Sequence, residues 1–400
     1  SGDITTTNDS SVSIFGENSS TIENDGNITA SGNASVGVFS DTGTAKNSKT
    51  ITMSGTASAG MLGLAGTTLE NVIGGIITTN KASSAGIYTE NSFFSNAGTL
   101  DIIGEKSAGI FVKNNDTKNY EIINMGSINL KDTGTPTGIK SAGMYAEILN
   151  TATGITILNN QKDVTVDQDE SAGMYIKNGL SDISKGIVKN STATGKIELN
   201  AEKSVGIFAE SATGINEALI NVNNGNSAGM YGNIGAIITN KKSIKIFHEN
   251  SAGMYTVDSD AENTGADSNI ILENPLSSTT GSAGMYGKLT SRASKDYKTS
   301  NAGTISLNTI TKNAGMYGEV EAGALHVLTL ENNSAINIAS GSTSSIGMFA
   351  KNLSDVDKLS VHNTTNGIIK GDSKDSIGIS SSRSTVLNEG TILMKKSGSA

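Results

Sequence analysis

Residues 226–232 read NSAGMYG, and residues 250–256, 24 positions further on, read NSAGMYT. Variants of this Ser-Ala-Gly-Met-Tyr pentapeptide begin at Ser11, Ser35, Ser58, Ser84, Ser107, Ser141, Ser171, Ser204, Ser227, Ser251, Ser282, Asn313, Ser345 and Ser376, fourteen copies in all. A fifteenth start at Ser399-Ala400 suggests a longer array, truncated here at its C-terminal end. Successive starts lie 23 to 34 residues apart, so the minimum unit is 23 residues and the longer units carry insertions. A fixed repeat of this length marks a solenoid, in which each unit buries its apolar face only against its neighbours.

Each slot of the pentapeptide has its own chemistry. The third is Gly in every copy but the first, where Ser13 stands, so the backbone there bends sharply or approaches a neighbour closely. The fourth is always Ile, Val or Met and holds eight of the eleven methionines. The fifth is aromatic in twelve copies, with Leu62 and Ser380 as the exceptions. A second signature precedes the first: Asn, often Gly two residues later, then alternating apolar residues, as in Asn124-Met125-Gly126-Ser127-Ile128-Asn129-Leu130 and Asn301-Ala302-Gly303-Thr304-Ile305-Ser306-Leu307. Asn and Gly are turn formers, and I-x-L is strand alternation with one face buried. Just before the Asn comes a third short apolar stretch, such as Ile122-Ile123 or Ile237-Ile238.

Three short strands per unit, separated by polar turns, describe one coil of a right-handed parallel β-helix, an all-β fold. Helix is excluded by the abundance of Gly, Asn, Ser and Thr and by the lack of any sustained 3.6-residue apolar stripe. Residues 1–400 therefore read as a single continuous β-helix segment. Equivalent strands of adjacent coils stack ~4.8 Å apart, so each slot forms a ladder of like side chains. Adjacent residues of a straight strand face opposite ways, which places Met inside and the ring at a corner or partly outside.

Composition narrows the function. The chain has 47 Gly, 2 Pro, no Cys and no Trp, and a net charge of −9 without a basic cluster. A phosphate-neutralising nucleic-acid surface and an anionic membrane surface are thereby disfavoured. The missing cysteines exclude disulfides, cysteine nucleophiles and thiolate metal sites, and suit a chain that crosses an oxidising periplasm. No apolar run is long enough for a membrane helix, and the start SGDITTTNDS has neither the basic head nor the apolar stretch of a signal peptide.

The pairing of N-x-G-x-I-x-L with S-A-G-M-Y or S-V-G-I-F resembles the passenger repeats of the very large fusobacterial type V autotransporter adhesins, the group that includes RadD and its galactose-inhibitable relatives. The resemblance covers almost the whole chain. It implies a passenger held on the bacterial cell surface by a C-terminal outer-membrane barrel, a part that this sequence lacks. It further implies attachment to host glycans or receptor proteins and coaggregation with other bacteria. A monomer is expected, with no membrane contact except through the barrel.

Catalysis is not expected, because β-helix enzymes need clustered acids or basic residues on the outer face of adjacent coils. Here the only arginines are Arg292 and Arg383, and His248, His326 and His362 each stand alone in a unit. Asp258-Ser259-Asp260-Ala261-Glu262 opens like a calcium loop but lacks the turn Gly and the closing Glu, so no metal and no cofactor are expected. Binding is better served by insertions, which on solenoids often build the functional face. The richest spans residues 287–300, GKLTSRASKDYKTS, where Lys288, Arg292, Lys295, Tyr297 and Lys298 join hydrogen-bond donors to a ring that a sugar could stack on. Residues 114–119, 133–140 and 257–269 are further candidate loops.

Overall fold

The computed structural model describes residues 2–132, 140–191, 194–273, 281–308, 312–340, 342 and 344–395. The candidate loop 133–140, apart from Lys140, and the partial repeat at Ser399-Ala400 lie outside the described residues. The chain divides into two compact units, Ser1–Ser204 and Val205–Ala400. Each is a right-handed parallel β-helix with three short strands per coil. Among the described residues the only element that is not a strand is a short 3-10 turn at Ile183–Lys185.

The three strands match the three signatures. One coil of the first unit runs Tyr120–Asn124, Ser127–Leu130, Ala142–Ile148, and a coil of the second runs Ile237–Asn240, Ser243–Ile246, Ala252–Val257. We call the sheets built from these strands the asparagine, I-x-L and motif sheets. Registers equate the slots: Met230 pairs with Met254, Met254 with Met285, Met285 with Met316 and Met316 with Met348. All five are fully buried, as are Ile128, Leu130, Ile244 and Ile246 of the I-x-L sheet. Burying each such side chain contributes roughly 1.5–3 kcal/mol. The aromatic slot, one residue on, is only half-buried on the outer face, as the alternation predicts.

Two polar ladders explain why Ser and Asn recur. From Ser11 to Ser204, and again from Ser227 to Ser282, the backbone N–H of a motif Ser donates to the side-chain oxygen of the next, as from Ser58 to Ser84 at 3.2 Å, Ser84 to Ser107 at 3.0 Å and Ser227 to Ser251 at 3.3 Å. Where Asn313 replaces Ser, its Oδ1 accepts from Ser282 N at 2.9 Å, so the exception keeps the acceptor. The Asn that ends each strand of the asparagine sheet donates Nδ2–H to Oδ1 of its counterpart in the next coil at 2.7–2.9 Å, from Asn24 through to Asn190 and again from Asn216 through to Asn388. The sequence reading took these asparagines for turn formers. None has a positive φ; they end strands and form an amide ladder, in which every member but the exposed Asn388 is buried.

The left-handed corner lies elsewhere, at the residue before the motif Ser. Ala34, Ala57, Ser83, Lys106, Lys140, Glu170 and Lys203 all have φ between 43° and 59°. The motif Gly does not supply that turn; it admits a neighbour. A Cβ on Gly229 would sit 2.6 Å from Ile244 Cγ2 and 2.7 Å from the carbonyl oxygen of Gly253. Since a left-handed backbone costs an L-residue ~1–2 kcal/mol and costs Gly nothing, Ala57→Gly is expected to stabilise the chain by about 0.5–1 kcal/mol after the entropy of the added Gly is subtracted. A rise in the urea midpoint at unchanged m-value checks it.

Candidate functional site

Among the described residues, the longest turns collect at the corner between the motif and asparagine sheets. In the first unit they are residues 115–119, 149–155 and 179–185, and in the second 290–296, 321–327 and 353–358. Each set stacks as a ridge, braced coil to coil. Val327 N donates to Asp296 Oδ1 at 2.8 Å, and Lys358 Nζ donates to the Leu325 carbonyl at 2.6 Å. The second ridge exposes Leu325 by 76%, Val356 by 56% and Leu353 by 44%, beside the exposed Arg292.

The candidate loop 287–300 proves to be half strand. Lys288 belongs to Ala283–Leu289, Tyr297 and Lys298 open Tyr297–Asn301, and only 290–296 is turn. Tyr297 is 4% exposed, with Lys295 Nζ 5.1 Å from its ring centroid. A sugar could not reach that ring without displacing the lysine. The cations are paired: Lys288 with Glu321 at 2.8 Å, Lys295 with Asp260 at 3.4 Å and Lys298 with Glu331 at 3.3 Å. The hydrogen bond to Glu321 raises the Lys288 pKa above the ordinary lysine range. Arg292 has no ion-pair partner among the described residues. The structure thus joins Lys295 to Tyr297, turns Lys288 and Lys298 toward separate carboxylates and leaves Arg292 to solvent.

Glu331 collects that chemistry. Burial pushes its carboxyl up, but hydrogen bonds from Asn333, Lys298 and Ser300 and the Lys298 charge outweigh it and hold the group below the ordinary glutamate range. The carboxylate therefore stabilises the fold above its unfolded pKa, and the contribution is lost as pH falls through the lower folded value. Glu331→Gln is expected to lower the urea midpoint at pH 7 and to leave it unchanged at pH 2, where wild type carries the protonated acid.

The acidic stretch 257–269 is part strand and part turn. Asp260–Asn263 is a strand that turns Ala261 and Asn263 inward and spaces Asp260 and Glu262 along the outer face, and 264–268 is the turn to the next strand. Asp258 accepts from Thr290 N at 2.7 Å, and Asp260 from Lys298 N at 2.7 Å. These acids bind the next coil's backbone. Among the described residues no group of three His, Asp or Glu could hold a metal ion. Loop 114–119 is likewise internally tied: Asn114 Nδ2 donates to Thr156 Oγ1 at 2.9 Å and Tyr120 OH to Asp116 at 2.7 Å.

A feature that sequence reading missed is a groove of about 660 Å³ on the outer face of the first unit's motif sheet. Its floor is the second motif slot, Ala59, Ala85, Ala108 and Ala142. One wall is the aromatic slot, Leu62, Tyr88, Phe111, Tyr145 and Tyr175, and the other is the left-handed corner from Ala34 to Lys140. Phe111, Tyr145 and Tyr175 stack with centroids 5.0 Å apart, so their edges rather than their faces line the groove. Tyr88 stands at 81° to Phe111 beside Leu62, and burial followed by Glu90 pushes its hydroxyl up to about 12. The sequence signal was available: small residues before Ser at positions 34, 57 and 83, next to the only aliphatic side chain in the aromatic slot, Leu62. Comparison of the chain with known protein families, curated proteins and solved structures finds no match.

Proposed function

We propose that this chain is a passenger segment of a bacterial surface adhesin of the autotransporter kind, a rigid β-helix that attaches to host glycans or receptor proteins or to other bacteria. The observation that carries this reading is the ridge of stacked turns 290–296, 321–327 and 353–358, which holds Leu325, Leu353, Val356 and Arg292 out to solvent while Lys288, Lys295 and Lys298 are ion-paired. Exposed apolar side chains next to an unpaired Arg are the composition of a protein-contact surface. The cysteine-free sequence suits an exported chain, and a repeat that folds coil by coil needs no partner to complete its core.

The test is adherence of beads coated with the purified chain to host cells and to other bacteria. Saturable adherence is expected, falling at least ten-fold for Arg292→Ala combined with Leu325→Ser and Val356→Ser, all exposed positions. Beads that adhere no better than bare ones would overturn the adhesive role and leave the β-helix as a spacer. Adherence that the triple variant retains would move the contact off this ridge.

A further inference from the structure

We propose that the groove on the first unit's motif sheet binds a single-chain fatty carboxylate, its acyl chain lying along the alanine floor and its head held by Lys106 and Lys140. The groove extends from the second to the seventh motif copy, five coil steps, or ~24 Å at ~4.8 Å per step. Its volume of about 660 Å³ lies inside the ~300–1,000 Å³ range of small-molecule sites. What it offers is methyl groups and ring edges, with almost no free hydrogen-bonding capacity. Ser84 Oγ donates to the Gly55 carbonyl at 3.3 Å while accepting from Ser58 N at 3.2 Å. Ser107 Oγ donates to Glu105 O at 3.1 Å while accepting from Ser84 N at 3.0 Å. Tyr88 OH is held by Glu90 at 3.3 Å, and the Tyr145 and Tyr175 rings stack on each other with centroids 5.0 Å apart.

These commitments select the occupant. A glycan brings hydroxyls that would find no partners, and each unmet one costs binding. An extended peptide needs backbone donors and acceptors, but the strands under the groove are paired in register on both sides. An acyl chain asks only for apolar contact along its length. Lys106 and Lys140 stand exposed on one lip and form no ion pair among the described residues, so the groove's uncompensated charge is positive. The complement is one anionic head on an apolar tail. The site is concave and takes a free acid chain, not a bilayer surface.

Specificity comes from the second motif slot. Where the groove runs, that slot is Ala in five successive copies from Ala59 to Ala172, whereas Val36 closes its start and Val205, Ile346 and Ile377 fill the same slot in other copies. The fold therefore accepts a β-branched residue at this position, and Ala85→Ile with Ala108→Ile fills the groove without asking the coil for anything new.

The experiment is calorimetric titration of the purified chain with palmitate below its micelle concentration, with octanoate and phosphatidylglycerol vesicles in parallel. Saturable one-to-one palmitate binding is expected, with octanoate at least ten-fold weaker. Ala85→Ile/Ala108→Ile should abolish binding while circular dichroism and the urea midpoint stay native. Lys106→Glu/Lys140→Glu, two exposed positions, should weaken it at least ten-fold, which keeps the proposal falsifiable should the filled variant fold poorly. No saturable palmitate binding, or binding that both variants retain, overturns the proposal. Vesicle binding without palmitate binding also overturns it, by assigning the lysines to a lipid surface.

Discussion

Gly229→Ala is expected to destabilise the second unit by about 3 kcal/mol or more, while Gly232→Ala, three residues along the same strand, changes stability by less than ~0.5 kcal/mol. At Gly229 the new methyl would lie 2.6 Å from Ile244 Cγ2 and 2.7 Å from the Gly253 carbonyl oxygen. Neither can yield cheaply. Ile244 is a fully buried member of the core ladder, and Gly253 belongs to a strand paired in register on both sides. At Gly232 the nearest atoms are Ile238 Cγ2 at 3.2 Å and Thr256 Cγ2 at 3.4 Å, side-chain ends that shift by tenths of an ångström. The chain already places Ala146, Ala209 and Ala350 in that slot. Urea denaturation of the two variants side by side checks the contrast. Equal losses would mean that Gly content, not coil spacing, sets the effect.

That contrast also marks how far the sequence could be read. A parallel β-helix sets each residue beside its counterpart one coil away, so a repeated letter is a repeated contact. Met230, Met254 and Met285 announced the core, and the alternation put Tyr231 outside. Reasons were harder to read than positions. Ser84 and Ser107 could be turn formers from composition alone; that their Oγ accepts the preceding coil's N–H needs coordinates. The left-handed corner carried only a broken signal, because Asn226 and Asn250 occupy it but so do Ala57, Lys106 and Glu170. Insertions were legible only as longer intervals, and an interval sums three corners of the coil. Lys288, Tyr297 and Lys298 were therefore taken for loop when they belong to strands. The groove depends on side chains 23 to 34 positions apart that become neighbours only when the coils stack.

The amide ladder makes the last prediction the sharpest. Asn240 accepts Nδ2–H of Asn216 at 2.8 Å and donates to Asn263 Oδ1 at 2.8 Å and to the Lys242 carbonyl at 3.0 Å, all at a fully buried position. Asn240→Leu leaves a donor on Asn216 and an acceptor on Asn263 without partners, while the Lys242 carbonyl keeps the Asn269 N–H at 2.7 Å. At ~1–3 kcal/mol for each buried unmet group, partly recovered by the apolar side chain, a loss of about 3 kcal/mol is expected. Asn240→Asp separates hydrogen bonding from shape. The carboxylate keeps the volume and the Asn216 bond, but it cannot donate and brings an uncompensated charge into the core, so its folded pKa is raised above that of the unfolded chain. An acid with a raised folded pKa favours the fold while protonated, and that advantage is lost as pH rises past its unfolded value. The deficit of Asn240→Asp relative to wild type should therefore be larger at pH 7 than at pH 3, where the protonated acid again donates one bond, while the Asn240→Leu deficit stays flat with pH. Equal deficits for Asp and Leu at both pH values would show that the ladder acts by packing alone, and that its fourteen asparagines are held for their shape rather than for the chain of amide hydrogen bonds that links coil to coil.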